Sequence, residues 1–264
     1  VGRMLPQERQ NEIIKLLQEF RSVKIADLCK KLDVTRETIR KDLYEMEERG
    51  LIKKVHGGAI LNKASFETKY ASRKSTNHEE KLNIARKAAE FVSDGDTIYI
   101  DYGTTALFFT RELMSKKDLT IITNSLPIAS ELTEYTDFEI VIIGGNIRKN
   151  ENSLFGPVAY RAIENLYVDT GFFGIGGIDA EAGFTNYHMG ESEVSRLMIR
   201  HSQKRVMMAD YSKFNTVALN KVASIEDIHV LITDENASQE TLQALKKKNT
   251  NMIIIEVEGS EHDE

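Results

Sequence analysis

The stretch "VTRETIRKDLYEMEERGLIKKVHGGA", residues 34–59, decides the fold expected for the first part of the chain. Its apolar residues recur four and three positions apart, at Ile39, Leu43 and Met46. This spacing predicts a helix with one buried face, because residues three and four apart share a side of a helix. Thr35 stands where a cap would begin that helix, and Gly50 stands where a glycine would end it.

Two more helices and a hairpin complete this region. Helical spacing of apolar residues predicts one helix from about residue 6 to 20 and another over "IADLCKKL", residues 25–32. After the third helix, "LIKKVHGGAIL" reads as two short strands around Gly57 and Gly58. Three helices and a hairpin form a winged helix-turn-helix, whose third helix enters the major groove of DNA by its N-terminal end. The fold class predicted for residues 1–61 is therefore an α+β winged helix-turn-helix domain.

The third helix and the hairpin carry the side chains that a DNA reader needs. Hydroxyl and basic groups on the first turns of a recognition helix can donate to base edges and phosphates, and basic groups on the hairpin can reach the flanking backbone. The candidate DNA-binding residues are Thr35, Arg36, Thr38, Arg40, Lys41, Lys53, Lys54 and His56. Taken alone, charges spaced like Arg36 and Arg40 more often belong to an ordinary solvated helix face.

The whole string closely resembles the helix-turn-helix signature of the DeoR family of bacterial transcriptional repressors. In that signature a small hydrophobic residue and Ser or Thr precede "x-x-T-I-R-[RK]-D-L", and the segment closes on "H-G-G-A". Eight positions correspond one to one: Thr35, Arg36, Thr38, Ile39, Arg40, Lys41, Asp42 and Leu43. The resemblance implies that Ile39 and Leu43 are core residues and that Thr38, Arg40 and Lys41 touch DNA. The chain departs from the family at Lys24, where a Thr or Ser often caps the second helix.

Residues 78–264 show a different pattern, in which helices and strands alternate. The first of them are predicted helices at 79–92, 104–116 and 126–133 and predicted strands at 97–101, 119–123 and 138–143. The alternation predicts an α/β domain with a mostly parallel sheet and helices on both faces. In such sheets ligands bind outside the carboxyl ends of the strands. The polar stretch 62–77 is predicted to be a linker between the two domains.

Small and hydroxyl-bearing residues follow several predicted strands of this α/β domain. Gly103 lets the backbone approach a ligand, and the amides that open the next helix point at negative charge. Asp101 repels phosphate and suits sugar hydroxyls, whereas Lys213 can neutralise a phosphate. The candidate effector-binding residues are Asp101, Gly103, Thr104, Thr105, Thr123, Asn124, Ser125, Gly144, Gly145, Gly177, Glu191 and Lys213. Ordinary helix capping is the alternative reading for Thr104, Thr105 and Glu191.

These positions also resemble the sugar-phosphate-sensing domain of the DeoR family. That domain shows "D-x-G-T-T", "T-N-S", "G-G", "G-I-x-x-x-x-G-x-T", "E-[AS]-E-V" and "A-D-x-S-K-F". The chain has "DYGTT", "TNS", "GG", "GIDAEAGFT", "ESEV" and "ADYSKF" in the same order, so the resemblance covers nearly all of residues 6–235. It implies a fold similar to ribose-5-phosphate isomerase and a phosphorylated sugar or polyol as the effector.

Composition narrows the function further. Residues 1–62 hold 13 Lys and Arg against 10 Asp and Glu, whereas the whole chain carries a net charge of -6. A basic head on an acidic body is expected of a nucleic-acid binder.

A single cysteine, Cys29, excludes an internal disulfide and a cysteine-rich zinc site, and favours a cytoplasmic location. Apolar runs are too short to span a membrane. No dinucleotide, P-loop or histidine metal motif is present, so no metal and no cofactor are predicted.

Together these features predict a DNA-binding repressor of a sugar or polyol operon, whose affinity for double-stranded operator DNA is controlled by a phosphorylated sugar. One small head makes few base contacts, so a homo-oligomer, either a dimer or a tetramer, is expected. One alternative is an isomerase-type enzyme with an appended DNA-binding head. Its base would be Asp101, Asp179, Glu191 or Asp210, but no spacing brings two of these together, and no catalytic residue is predicted. The other alternative is a sequence-neutral architectural DNA binder.

Overall fold

The computed structural model describes residues 4–20, 22–48, 52–55, 57–61 and 70–258. The chain divides into two compact units, Val1–Thr76 and Asn77–Glu264. We call them the N-terminal unit and the C-terminal unit and describe each by itself.

The N-terminal unit is a winged helix-turn-helix. Its elements are α1 (Pro6–Phe20), β1 (Ser22–Lys24), α2 (Ile25–Leu32), α3 (Arg36–Glu48), β2 (Ile52–Val55), β3 (Gly58–Leu61) and α4 (Tyr70–Ser75). The strands form an antiparallel sheet in the order β1-β3-β2. Apolar side chains of α1, α2 and α3 pack into one core against Ile52 and Ala59. The hairpin and the three helices confirm the fold class predicted for this region.

The structure of this unit differs from the prediction in two respects, and a third predicted feature lies outside the described residues. Strand β1 adds a third strand to the wing, with Ser22 opposite Ile60. The predicted linker at 62–77 contains the helix α4. The sequence analysis missed this helix, because six residues are too few to show a helical period. Gly50, the predicted end of α3, lies outside the described residues.

The C-terminal unit is a three-layer α/β domain. Its elements in chain order are α5 (His78–Ala89), β4 (Thr97–Ile100), α6 (Thr104–Glu112), β5 (Thr120–Thr123), α7 (Leu126–Tyr135), β6 (Glu139–Ile142), β7 (Asn146–Arg148), β8 (Ser153–Phe155), α8 (Pro157–Ile163), β9 (Val168–Gly174), β10 (Gly177–Asp179), β11 (Gly183–Asn186), α9 (Met189–Arg200), β12 (Ser202–Met208), β13 (Asn220–Ala223), β14 (Val230–Asp234), α10 (Gln239–Lys248) and β15 (Ile253–Val257). Short 3-10 helices lie at Tyr211–Lys213 and Ile225–Asp227. Seven parallel strands form the central sheet, in the order β15-β14-β12-β9-β4-β5-β6.

Alternation along the strands gives this sheet two buried faces. On β12, Val206 and Met208 join the cluster that contains α5, α6 and α7, whereas Met207 joins the cluster that contains α8, α9 and α10. Successive side chains of a strand point to opposite faces, so both faces of a parallel sheet need apolar residues and covering helices. The predicted fold class, a parallel sheet with helices on both faces, is confirmed.

The strand order fixes where a ligand can bind. The chain adds β5 and β6 on one side of β4, then crosses over and adds β9, β12, β14 and β15 on the other side. The order therefore reverses between β4 and β9, and ligand crevices of open α/β sheets form outside the carboxyl ends of the strands at such a point. Asp101 and Gly103 follow β4 directly, where such a crevice is expected.

Two small sheets were not expected from the sequence. The hairpin of β7 and β8 follows β6, and β10, β11 and β13 form a separate antiparallel sheet. The second sheet contains most of the stretch 176–185, which reads in the sequence as a glycine-rich loop. In the part of the chain that the structure describes, no helix is long and apolar enough to cross a membrane.

Candidate functional site

Helix α3 presents its basic residues outward and its apolar residues inward. Ile39 and Leu43 are buried, which confirms them as core residues. Arg36, Arg40 and Lys41 are exposed. Arg40 pairs with Glu37, whose Oε2 lies 3.6 Å from Arg40 Nη1 with both side chains in solvent. Exposed ion pairs of this kind are weak, so a phosphate or a base edge can replace Glu37 as the partner of Arg40.

The start of α3 is capped as its sequence suggests. Thr38 donates its backbone N–H to Thr35 Oγ1 at 3.2 Å, and the two hydroxyl oxygens lie 2.9 Å apart. The Thr35 hydroxyl therefore caps the helix, because it accepts from an amide that lacks an intrahelical partner. Thr38 stays half-buried beside it, at the end of α3 that a recognition helix directs into the groove.

The two lysines of the wing have different surroundings. Lys54 is tied to α3, because its Nζ lies 3.1 Å from Glu47 Oε2 and its backbone N–H donates to Glu47 Oε1 at 2.7 Å. Both hydrogen bonds lower the pKa of Glu47, and the one from the Lys54 backbone has the larger effect. They also hold the hairpin against the helix. Lys53 is exposed on the neighbouring position of β2. His56 lies outside the described residues.

A buried ion pair that the sequence analysis missed fastens α3 to α1. Arg9 donates from Nε to Asp42 Oδ2 and from Nη2 to Oδ1 at 2.9 Å, and its Nη1 reaches Met4 O at 3.2 Å. Arg9 is 6% exposed and Asp42 2%. The hydrogen bonds to Asp42 raise the pKa of Arg9, so the guanidinium stays charged despite its burial. Nothing in the sequence signals this contact, because the partners stand 33 residues apart and Arg9 belongs to no motif.

In the C-terminal unit, Asp101 is completely buried at the carboxyl end of β4. Its Oδ1 accepts hydrogen bonds from the Tyr99 hydroxyl and the Tyr102 N–H, each at 3.0 Å, and its Oδ2 accepts one from Ser195 Oγ at 2.7 Å. Both carboxylate oxygens are therefore engaged by the protein. A sugar hydroxyl would have to share or replace one of these hydrogen bonds, and the role of Asp101 as a reader of sugar hydroxyls stays a prediction.

Asp101 is the centre of a hydrogen-bond network. The Tyr99 hydroxyl also lies 3.1 Å from Asn124 Oδ1, so it joins the end of β4 to the end of β5. Ser195 Oγ joins Asp101 to the backbone oxygen of Glu191, at 3.2 Å. The structure thus brings Asp101, Asn124 and Glu191 together, as expected of residues at one edge of the sheet. Tyr99 and Ser195 were missed; the only signal for Ser195 is that it follows Glu191 by one helical turn.

Glu191 is buried near the start of α9 and is held by the β7–β8 hairpin. Its carboxylate accepts from the Ser153 hydroxyl and pairs with Arg148, and His188 Nδ1 lies 3.7 Å from its Oε2. The cap of α9 is His188, which accepts the Glu191 N–H at 3.3 Å. Helix capping therefore does not explain the Glu191 side chain. Arg148 and Ser153 were missed, because no pattern in the sequence indicates the hairpin that carries them.

Among the remaining predicted positions, the hydroxyl-bearing residues after β4 and β5 are buried, whereas the glycines after β6 are exposed. Gly103 begins α6 with φ at +117°, a conformation that favours glycine, and Thr104 and Thr105 are buried on the first turn. Thr123 Oγ1 accepts the Ser125 N–H at 3.1 Å, and both residues are buried at the end of β5. Gly144 and Gly145 follow β6 and are exposed.

Gly177 begins β10 of the small antiparallel sheet, shortly after the carboxyl end of β9. A Cβ at this position would come within 2.4 Å of Thr216 O. Close packing against that segment therefore accounts for the glycine, and its contact with an effector stays a prediction.

Lys213 lies on the short 3-10 helix that follows β12, beside the buried Asp210. Burial alone would raise the pKa of Asp210, but the charges of Lys213 and Lys81 and the hydrogen bonds from Ser212 and Asn77 outweigh it and lower the pKa. Asp210 is therefore an anion inside the fold, and Lys213 supplies part of the positive charge that stabilises it.

The surroundings of Asp101 predict a pH dependence of stability. Burial raises the pKa of Asp101 from 3.8 to about 7, against the lowering effect of its hydrogen bonds. At pH values between 3.8 and about 7, Asp101 is therefore protonated in the folded chain and ionised in the unfolded chain. The contribution of Asp101 to the free energy of unfolding is therefore fully present below about pH 4 and is lost as the pH rises through 7, by about 1.4 kcal/mol per pH unit.

We expect Asp101→Asn to flatten this dependence and to raise stability at pH 8 relative to the unmodified chain. An amide fits the site, because Asn can accept from Tyr102 and donate to Ser195 Oγ, which then donates to Glu191 O. Urea unfolding at pH 5, 6, 7 and 8 measures the slope, with the exposed Asp137→Asn as the matched control. Equal slopes for Asp101→Asn and Asp137→Asn would contradict the assignment.

Comparisons with known proteins agree with both units. The profile of the DeoR-like helix-turn-helix domain matches residues 9–65, and that of the DeoR C terminal sensor domain matches residues 76–235. The HTH-type transcriptional regulator GolR of Listeria innocua is 37% identical over 93% of this chain and 95% of its own. The Glycerol-3-phosphate regulon repressor of Escherichia coli is 34% identical over 90% of this chain and 94% of its own.

Among solved structures, ribose 5-phosphate isomerase A from Methanocaldococcus jannaschii superimposes with a TM-score of 0.40 and 20% identity. The superposition covers 53% of this chain and 55% of that chain.

Proposed function

Because this chain belongs to the DeoR family of transcriptional regulators, we propose that it represses a sugar or polyol operon and that a phosphorylated sugar or polyol controls its affinity for operator DNA. The observation that carries the proposal is the set of polar residues at the point where the strand order reverses, which is where open α/β sheets bind ligands. Polar residues that follow β4 and β5 converge there, in a chain whose other unit is a winged helix-turn-helix.

The crevice suits a phosphate on one side. Gly103 and the first turn of α6 direct backbone amides toward it, and a helix N-terminus attracts an anion. The hydroxyls of Thr104 and Thr105 stand on the same turn, and Lys213 adds a positive charge from the end of β12. We propose that polar groups near Asn124, Ser125 and Glu191 bind the hydroxyls of the sugar. Asp101 stabilises this region through its hydrogen bonds and does not touch the ligand.

The N-terminal unit supplies the DNA contacts in this proposal. Thr38, Arg40 and Lys41 on α3 read the major groove, and Arg36 and Lys53 reach phosphates. A symmetric dimer would place two α3 helices one helical turn of DNA apart, or a multiple of it, on repeated half-sites. We propose residues 1–61 as the DNA-binding domain and residues 78–264 as the effector domain.

We also propose that the C-terminal unit binds its ligand without turning it over. A base for proton abstraction must reach the substrate. Asp101 is shielded by three hydrogen bonds, and Glu191 is occupied by Arg148 and Ser153. Incubation with ribose 5-phosphate, glucose 6-phosphate and glycerol 3-phosphate should leave each unchanged, and conversion of any of them would contradict this part of the proposal.

A thermal-shift experiment tests the ligand class. The full chain is melted with glycerol 3-phosphate, ribose 5-phosphate, glucose 6-phosphate or fructose 1-phosphate, and with the unphosphorylated form of each. Binding at 100-fold over Kd stabilises by about 2.7 kcal/mol, which raises the Tm by roughly 5–10 °C. Glycerol 3-phosphate is included because one relative is named for it. Equal shifts with and without the phosphate, or no shift at all, would contradict the proposal.

Lys213→Ala should abolish the Tm rise that the best phosphorylated ligand gives, because it removes the cation that faces the phosphate. Lys117→Ala is the matched control: it deletes an exposed lysine that precedes β5, at the amino ends of the strands. The role of Lys213 would be contradicted by a full Tm rise in Lys213→Ala, or by equal losses in the two variants.

A further inference from the structure

Asn77 uses its side chain in an unusual way. It is the first residue of the C-terminal unit and immediately precedes α5, with φ at +52°. An asparagine at this position normally caps the helix that follows, but Asn77 makes no such bond. Its Nδ2 donates instead to Asp210 Oδ1 at 2.9 Å, and its Oδ1 lies 3.4 Å from the Tyr211 hydroxyl. The start of the unit is therefore bound to the loop that follows β12.

Asp210, at the other end of this bond, is held asymmetrically. Its Oδ1 accepts from Asn77 and from the N–H and hydroxyl of Ser212. Its Oδ2 is buried and finds no donor among the described residues. An ionised carboxylate inside a protein is unfavourable unless charges or hydrogen bonds compensate it. The two positive charges that compensate Asp210 are those of Lys213 and Lys81.

These two lysines connect Asp210 to different parts of the unit. Lys213 follows Asp210 on the 3-10 helix and is the cation that we assign to the effector phosphate. Lys81 is buried on α5, one turn after Asn77, and its N–H donates to Asn77 O at 3.1 Å. A phosphate that attracts Lys213 withdraws charge from Asp210. The carboxylate then depends more on Asn77 and Lys81, which are both at the start of α5.

We propose that Asn77 couples the effector site to the N-terminal unit, through its hydrogen bond to Asp210. The inference rests on the proposed function and adds the residue that transmits the signal. Occupancy of the site changes the charge balance at Asp210, and Asn77 converts this change into a shift of the chain where it continues directly into Thr76, the last residue of the N-terminal unit. Asn77 is a positioning residue and touches neither the ligand nor DNA.

The test uses Asn77→Gly in the full chain. Glycine adopts the positive φ of Asn77 without strain, so the substitution removes the side-chain bond and keeps the backbone. The matched control is Asn83→Ala. Asn83 lies on α5, the helix that Asn77 precedes, and its Nδ2 donates to Glu258 O at 3.1 Å. The DNA probe is a duplex enriched from a random library by the unmodified chain. The ligand probe is whichever of the four sugar phosphates named above gives the largest Tm rise.

The quantity measured is the coupling ratio, which is the Kd for the duplex with saturating ligand divided by the Kd without it. An allosteric coupling of about 1–3 kcal/mol makes this ratio differ from one by roughly 5- to 150-fold in the unmodified chain. In Asn77→Gly we expect the ratio to fall to within twofold of one, while the Kd for ligand and the Kd for DNA without ligand change less than threefold. Asn83→Ala should keep the full ratio.

The possible outcomes separate this inference from the proposed function. A full coupling ratio in Asn77→Gly overturns the inference and leaves the proposed function standing. A ratio of one in the unmodified chain overturns both. Loss of ligand affinity together with the ratio also overturns the inference, because Asn77 would then belong to the site. If Asn77→Gly fails to fold, Asn77→Asp replaces it, since Asp tolerates positive φ and turns an acceptor oxygen toward Asp210.

Discussion

Arg40→Ala is expected to weaken binding of the selected duplex by at least 30-fold and to leave the ligand-induced Tm rise unchanged. Arg40 is exposed on the N-terminal half of α3, and its present partner is the weakly held Glu37. A bidentate contact from arginine to a base is worth about 1–3 kcal/mol, and a symmetric dimer makes it twice. The loss is then about 2–6 kcal/mol, or roughly 30- to 20,000-fold in affinity.

Lys15→Ala is the matched control for Arg40→Ala. Lys15 is an exposed basic residue of the same unit, on α1 rather than on α3, and it pairs with Glu12 at 3.0 Å. Fluorescence anisotropy at fixed salt, with the selected duplex and a random duplex, separates reading of sequence from attraction by charge. Equal losses in the two variants would contradict the assignment of α3. Equal losses of Arg40→Ala on the two duplexes would favour the architectural binder.

Asp42→Ala is expected to lower the free energy of unfolding of the N-terminal unit by about 3–5 kcal/mol, because it leaves the Arg9 guanidinium buried without its carboxylate. Small domains are stable by only about 5–15 kcal/mol, so a large fraction of the unit would unfold and DNA affinity would fall with it. Hydrogen exchange of α1 and α3 amides measures the change in each unit separately. The C-terminal unit should keep its protection.

Two further variants test the buried pair itself. The double variant Arg9→Met/Asp42→Leu should recover most of the lost stability, because apolar residues of similar volume can replace a buried ion pair. Glu45→Ala is the control on the same helix: it removes an exposed carboxylate that accepts from Gln10 at 2.9 Å. A loss in Asp42→Ala no larger than that in Glu45→Ala, or no recovery in the double variant, would contradict the role given to the pair.

The fold could be predicted from the sequence where its pattern is local. Ile39, Leu43 and Met46 mark the buried face of α3 by spacing alone, and the alternation of strands and helices predicts the parallel sheet. The strand order could not be predicted in the same way, because β4 and β9 are neighbours in space but distant in the chain. The sheet of β10, β11 and β13 was missed because its strands are only three or four residues long, too short to show a clear alternation of apolar and polar residues.

The candidate site was only partly predictable for a related reason. Motifs at the ends of β4 and β5 correctly indicated residues that meet at one edge of the sheet, as the contact of Tyr99 with Asp101 and Asn124 shows. The hydrogen bonds that occupy Asp101 come from Ser195, 94 residues away, as well as from its neighbours in the chain. Whether a carboxylate faces a ligand or the interior depends on such distant donors, and no spacing in the sequence reveals them.

The most direct test of the account measures the affinity of the full, unmodified chain for the selected duplex with and without each of the four sugar phosphates, at fixed salt. The account predicts that at least one of them changes the Kd by roughly 5- to 150-fold, that its unphosphorylated form does not, and that the duplex changes the affinity for that ligand by the same factor. A Kd for the duplex that stays the same with every sugar phosphate, each present at a concentration that raises the Tm, would contradict it.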